Sequence, residues 1–426
     1  MENSTQRRLE RVSGYLLSPI EVNNGLSQVL IKSGQRKNEE EEGDPVVIGG
    51  MVLDIHATPS LPLNPGTTTP GKVHYVLGGV ARNIAECMSK LGTKPYMISA
   101  LGNDMAGIMN HQGIKTPAIC NIFDTEGELA AAVASVEAVD RIPSETYCVY
   151  VNSIQEKFLT SSWIQQSKQN IFSAPVMMVD ANLSLPALEA SCQLAAESNT
   201  PVWFEPVSVA KSRRIVSVVK YVAFASPNED ELIAMANALS HESMFRQIER
   251  DTNRRGSVES LFQFLKPAIL VLLEKGIKIV AVTLGADGVF LCSRGPNLLR
   301  FSLDRTKKYG FSGQLYDNVA SSCPSSRFSG ALQIERSSHL FSVHFPALPA
   351  SVVRLTGAGD CLVGGTLASL CSGLDIMQSI AVGMAAAKFA VEGELNVPSE
   401  FSLATITDDA RSIYSAAKIL FHQSML

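Results

Sequence analysis

The sequence has no apolar run close to the ~18 residues that a membrane-spanning helix needs, so no transmembrane segment and no membrane partner are expected. Basic residues are not in excess: 36 Lys and Arg face 41 Asp and Glu, for a formal net charge of −5. That balance leaves no electrostatic footprint for nucleic acid or an anionic lipid surface. The eight cysteines contain no Cys-x-x-Cys pair and no metal-type spacing, which argues against a disulfide framework or a zinc site. They read as reduced thiols, mostly buried. The opening "MENSTQRRLERVSG" mixes acids with its arginines and has no apolar stretch behind it, unlike a secretory signal. No segment repeats at a fixed period.

What is present can bury a large core: 426 residues, 46% of them hydrophobic and 18% charged. Residues 1–44 read as a polar leader ending in "KNEEEEGD", a like-charge run expected to be solvated and poorly ordered. From "DPVVIGGMVLDIHATP" onward, short valine-rich segments such as "PYMISALG", "VMMVDAN", "PVWFEPV", "YVAFASPN" and "KIVAVTLG" alternate with helical patterns such as "ARNIAECMSKL" and "PALEASCQLAAES". This alternation predicts an α/β fold, a mostly parallel central sheet with helices on both faces. Ligands of such sheets bind beyond the carboxyl ends of the strands, which singles out Asp54, Asn182, Glu205, Asn228 and Gly285. Two stretches break the rhythm, 140–156 and the serine-rich 301–347, and both read as insertions, the second as a surface loop. Residues 401–426 are expected to add a C-terminal helix and end in Ser424-Met425-Leu426, a relative of the Ser-Lys-Leu peroxisomal address; cytosol is the alternative.

Four motifs carry chemistry. "LTGAGDCLVGG" places Gly357-Ala358-Gly359 in a turn entering a helix, and the following residues space as two packed helices. A helix N-terminus has unpartnered N–H groups, and glycine lets an anion approach them. Asp360 repels such an anion, which makes sense if it acts on the group attacking it; a plain structural turn is the other reading. "LGGVARNIAECMSKLG" puts Gly78-Gly79 before a helix carrying Asn83, whose amide offers a donor and an acceptor to a polyol. In "SPNEDEL", Asn228 and Glu231 share one side of a starting helix, as oxygen ligands for a hydrated Mg²⁺ or as a helix cap. "VTLGADGVFL" brings Thr283 and Gly285 to a turn between two strands, to meet phosphate or nucleotide or simply to close a hairpin.

Together these motifs resemble the PfkB, or ribokinase-like, family of sugar and nucleoside kinases. Gly78-Gly79, Asn83, Gly92 and Gly102 match its first signature, Thr356–Asp360 with Gly364-Gly365 its second, and Asn228-x-x-Glu231 falls between them; the likeness runs from about Val46 to Asn396. "GGMVLDIHATPS", "GKVHYVLGGVARNIAE" and "NIFDTEGELAAAVASVEAV" look most like the pseudouridine kinases of the family, those of plants in particular. The resemblance implies a three-layer ribokinase-like sandwich over residues 45–400, with a small β lid from strands at about 55–77 and 112–137. It implies ATP and Mg²⁺ as cofactors and a nucleoside or sugar as acceptor, here the 5′-hydroxyl of pseudouridine. Asp360 would be the general base, Gly357, Ala358 and Gly359 the anion hole, and Asp54, Gly78, Gly79 and Asn83 the sugar pocket. Asn228 and Glu231 would position Mg²⁺ and the phosphates; Thr283 and Gly285 would meet the nucleotide, with Asn396 near the adenine. An ordinary aspartate, pKa near ~3.9, is a weak base toward an alcohol and should take the proton late.

The chain also departs from the family. Leu355 stands where many members carry Asp or Asn near a monovalent-cation site, which leaves K⁺ dependence open, and Glu205 replaces the commoner aspartate. After "LGNDMAG" roughly 15–20 residues are absent relative to the family, longer than a typical helix, which is expected to uncover sheet surface. The competing readings are another kinase of the family (ribokinase, adenosine kinase or fructokinase) and a catalytically silent binding protein. A homodimer through the lid is compatible with the family.

Overall fold

The computed structural model describes residues 43–64, 67–100, 118–123, 129–135, 159–240, 245–246, 257–303, 306–308, 310–328 and 340–420. The leader up to residue 42, the 140–156 insertion, the stretch missing a helix after Gly107, Gly102 and the C-terminal tripeptide all lie outside these residues.

A nine-stranded sheet forms the centre, in the order β13-β12-β11-β10-β9-β8-β7-β1-β4. Its strands are β1 (Val46–Ile48), β4 (Tyr96–Ile98), β7 (Met177–Asp180), β8 (Val202–Glu205), β9 (Val222–Ala225), β10 (Ile279–Thr283), β11 (Val289–Arg294), β12 (Leu340–Phe345) and β13 (Lys418–Leu420). From β4 to β10 every pairing is parallel; β11, β12 and β13 then add on antiparallel. Strands β7 to β9 are buried on both faces apart from half-buried Glu205 at the end of β8, which is why "MMVD", "VWFE" and "VAFA" read as continuous apolar runs rather than alternating ones. The second sheet is four-stranded, β3-β2-β5-β6, from β2 (Val52–Pro59), β3 (Gly71–Gly78), β5 (Ala118–Phe123) and β6 (Leu129–Ser135).

Helices cover both faces of the large sheet. On one side lie α1 (Val80–Lys90), α9 (Gly310–Ser322), α10 (Ala358–Cys371), α11 (Ile376–Val391) and α12 (Leu403–Ala416). On the other lie α2 (Ser161–Gln166), α3 (Lys168–Ser173), α4 (Leu185–Glu197), α5 (Val209–Ser212), α6 (Ile215–Val218), α7 (Glu229–Ser240) and α8 (Val258–Glu274). In α1, Ala81, Ile84, Ala85 and Met88 face inward at helical spacing, while Arg82, Glu86 and Lys90 form a ladder of ion pairs at 2.6 and 2.8 Å. Helices α10 and α11 are the expected pair. They approach so closely that a Cβ on Gly365 would lie 2.9 Å from the Cα of Gly383.

The surface-loop reading of 301–347 is corrected. That range holds α9, which buries Ser312, Leu315 and Val319, and β12, a sheet strand whose last five residues are buried. Serine masked both: Ser342 and His344 sit in the core because each has a partner, Cys292 Sγ at 3.2 Å and the Asp287 carbonyl at 2.6 Å. Among the described residues no helix is long and apolar enough to cross a membrane.

Candidate active site

The parallel strands point their carboxyl ends one way, and acids collect there. Helix α10 begins at Gly357, whose φ of +87° and contact with the Asn396 carbonyl, 2.0 Å from where a Cβ would sit, admit only glycine. Ala358 opens the helix, and a Cβ on Gly359 would meet nothing within 4 Å, so the space beside this turn is open. Asp360 lies in the first turn and accepts a 2.7 Å hydrogen bond from Asn83 Nδ2 of α1.

Asp54 stands in β2, buried, beside Gly78 at the end of β3. A Cβ at Gly78 would come within 2.0 Å of Asp54 Oδ2, so the glycine makes room for the carboxylate. Asn396 Nδ2 donates to the same oxygen at 2.9 Å. Gly79 turns the chain into α1 with its own φ of +97°.

Burial pushes the Asp54 carboxyl up to about 6, against the Asn396 hydrogen bond and the charges of Arg82 and Arg354. Burial likewise pushes Asp360 up to about 7; the Asn83 bond opposes this, and the charges of Asp180 and Asp54 add to it. The early and the late acid therefore feel each other across one site, and Asp360 is a stronger base than an ordinary aspartate.

Asp180, at the end of β7, was not singled out from the sequence. It is fully buried, accepts from Gly50 N at 2.9 Å and from Asn182 N and Nδ2 at 3.0 Å each, and burial raises its pKa. Asn182 Oδ1 in turn accepts from buried Lys211 Nζ at 2.8 Å. The signal was available: Asp180 ends an apolar strand just as Glu205 does. Arg82 likewise carries no motif signal in the sequence, where its spacing to Glu86 and Lys90 marks only an ion-pair ladder.

On the far side, Asn228 and Glu231 form a reciprocal cap at the start of α7. Glu231 N donates to Asn228 Oδ1 and Asn228 N to Glu231 Oε2, both at 2.9 Å. The capping alternative is thus what the structure shows; Asn228 Oδ1 is committed to the helix, while Glu231 keeps Oε1 outside the box. Burial raises the pKa of Glu231, and burial with the Glu231 charge raises that of Glu205, which also feels Asp360. Ser226 Oγ steadies Glu205 Oε2 at 2.5 Å and is itself held by Trp203 Nε1 at 2.7 Å. Glu205 and Glu231 thus place two mutually repelling carboxylates together, while among the described residues no group of three or more His, Cys, Asp or Glu side chains could hold a metal ion. Thr283 ends β10 bridged to Asn228, and Gly285 lies exposed in the turn before β11, so the hairpin and the edge position hold together. Asn396, expected near the adenine, is buried and donates to Asp54.

The chain is 52% identical to the pseudouridine kinase of Arabidopsis thaliana, over 90% of this chain and 100% of that protein. The pseudouridine kinase of Escherichia coli strain K12 is 22% identical over 85% and 94%. Among solved structures, Arabidopsis thaliana ribokinase complexed with ribose and ATP superposes with a TM-score of 0.53 at 16% identity, covering 86% of this chain and 98% of that one. A carbohydrate kinase from Agrobacterium tumefaciens gives a TM-score of 0.57 at 19% identity, covering 89% and 100%. The pfkB family carbohydrate kinase profile matches residues 44–301 and 329–397, and the chain belongs to that family.

Proposed function

We propose that the protein is an ATP-dependent kinase that phosphorylates the 5′-hydroxyl of pseudouridine. The observation that carries the substrate is the 52% identity along the full length of a plant pseudouridine kinase. Asp54 and Asp360 support the reaction, with Asn83 on Asp360 and Asn396 on Asp54.

In this reading Asp54 accepts hydrogen bonds from ribose hydroxyls and fixes the sugar, while Asp360 takes the proton of the terminal alcohol. Asn83 holds the ionised carboxylate of Asp360 toward that alcohol. The α10 N-terminus and the Gly357–Gly359 turn face the transferring group with backbone N–H donors. Such a transfer asks mainly for alignment and charge stabilisation, and one well-placed donor is worth about 3–4 kcal/mol in the transition state. An Asp360 pKa of about 7 places the base where general-base catalysis is efficient near neutrality. ATP supplies the phosphoryl group, and Mg²⁺, for which Glu231 and Glu205 are the candidate donors, offsets its charge. Glu231→Gln is expected to raise the Mg²⁺ concentration needed for half-maximal rate.

The test is an acceptor panel: pseudouridine, uridine, adenosine, ribose and fructose, each with ATP and the purified chain. The highest kcat/KM is expected for pseudouridine. A preference for any other acceptor overturns the substrate, and inertness toward all five favours a binding protein that keeps the fold.

A further inference from the structure

Arg82 holds the Asn83 amide that meets Asp360. From α1 its Nη1 donates to the Leu77 carbonyl at 2.6 Å and to Asn83 Oδ1 at 3.2 Å, while Nη2 pairs with Glu86 Oε2 at 2.6 Å. The Leu77 carbonyl belongs to β3, so the guanidinium ties the small sheet to the helix that carries Asn83. The arginine fork meets three acceptors through two rigidly placed nitrogens, which an ammonium on a flexible stem does not reproduce.

The Asn83 amide has two ends, and the choice between them matters. With Nδ2 toward Asp360 the amide donates to the carboxylate at 2.7 Å. Rotated by half a turn, it would present oxygen to oxygen and oppose ionisation of the base. Arg82 is a donor only, so its contact with Oδ1 selects the first orientation. Its charge also acts on Asp54, opposing the burial that pushes that carboxyl up.

We propose that Arg82 is a positioning residue that locks the Asn83 amide so that it donates to Asp360. This rests on the kinase reading above. Asp360 is faced by Asn83 of α1, Asp180 of β7 and Asp54 of β2, and it acts in turn on Glu205 of β8. Asp54 is faced by Asn396, Arg82 and Arg354.

Two variants separate the fork from the charge. Arg82→Gln removes fork and charge; Arg82→Lys keeps the charge and loses the fork. Each is compared with wild type in kcat, in acceptor KM, in pH profile from 5.5 to 9 and in melting temperature, using the best acceptor of the panel. Arg82→Gln is expected to lower kcat/KM by about tenfold to a hundredfold, the loss that a displaced catalytic group brings. Its acidic limb should move to higher pH, because Asp360 loses its fixed donor. Arg82→Lys should likewise leave kcat low and the limb displaced, because the fork that holds Asn83 is lost. If both variants keep the wild-type limb and KM and differ only in melting temperature, Arg82 is simply a surface-ladder residue and the proposal fails. Should wild type reject every acceptor, the kinase reading fails instead, and the pH dependence of melting in wild type and Arg82→Gln decides the role of Arg82. A melting difference that does not grow between pH 5 and pH 8 overturns it, because loss of the Asn83 donor must raise the Asp360 pKa further.

Discussion

Replacing Asp360 with asparagine should separate catalysis from stability, with a stability change whose size depends on pH. The folded chain holds this carboxyl at about 7, whereas the unfolded chain ionises it near the ordinary 3.8. A folded pKa raised above the unfolded one means that the folded state binds the extra proton. The group's contribution is then fully favourable below pH 3.8 and is lost as pH rises through about 7. About three pH units at 1.36 kcal/mol each set an upper bound near 4 kcal/mol of destabilisation at pH 8, falling by more than half at pH 5. Asparagine is neutral at every pH and can turn its own amide oxygen to Asn83 Nδ2, so the hydrogen bond survives. A chain of this length gains roughly 1 °C in Tm for each kcal/mol. Asp360→Asn should therefore melt about 2–4 °C above wild type at pH 8, and by less than half that margin at pH 5. Turnover should fall by about 10²–10⁴ while ATP binding is retained. Differential scanning calorimetry at the two pH values, beside initial rates, provides the check. A stability loss at pH 8, or an equal gain at both, would refute the placement of an ionised carboxylate in this buried site.

Wild-type kcat/KM should show an acidic limb near pH 7 and fall about tenfold per unit below it, steepening once Asp54 protonates near 6; a flat profile from pH 5 to 8 contradicts Asp360 as base. Gly359→Ala fits the fold, with nothing within 4 Å of the new methyl, and should change Tm by about 1 °C or less while lowering kcat/KM about tenfold or more by crowding the anion approach. Gly357→Ala, by contrast, forces a Cβ into the Asn396 carbonyl at positive φ, and denaturant titration should show a loss of at least about 1–3 kcal/mol. Asn396→Ala removes the amide donor from Asp54, so its pKa rises further; acceptor KM should increase at pH 6.5 and recover by pH 8, and an increase equal at both values sinks the link.

The sequence made the scaffold plain where burial is two-sided. Strands such as "VMMVD" and "VWFE", and the helices after Asp360, are apolar in nearly every position, so pattern alone placed them. It failed where polar letters are buried in pairs. In β12, Ser342 and His344 interrupt the apolar run, and no sequence window shows that Cys292 and the Asp287 carbonyl await them. The site divides in the same way. Asp54, Asn83, Gly357 and Asp360 stand in motifs whose spacing is local, and the structure brings them together. Asn396 reaches Asp54 across most of the chain, a contact that local spacing cannot encode. Asn228 and Glu231 satisfy two templates at once, since an Asn three residues before a Glu is both a cap and a set of oxygen ligands. Only the hydrogen bonds distinguish which oxygens are committed.

Several acids of the site carry raised pKa values together. Asp54, Asp180, Glu205, Glu231 and Asp360 are each pushed up first by burial, and three of them, Glu205, Glu231 and Asp360, also by another acid. Asp180 and Glu205 end parallel strands of the large sheet, Glu231 and Asp360 stand in the first turns of α7 and α10, and Asp54 comes from the small sheet, so the charged form of each is disfavoured by a poorly hydrated surrounding. Each pays for that position in folding free energy, and the α10–α11 pair, packed almost entirely among apolar side chains, supplies an opposing contribution from the same polypeptide segment. The acid raised to about 7 is rooted in a helix that is buried along its length behind it. That pairing has a mechanical consequence: Asp360 can be destabilised by its neighbours without moving away from them, because Cys361 to Cys371 are buried without interruption behind it. A base on a loop would relieve the same repulsion by swinging into water, and its pKa would return toward 3.8.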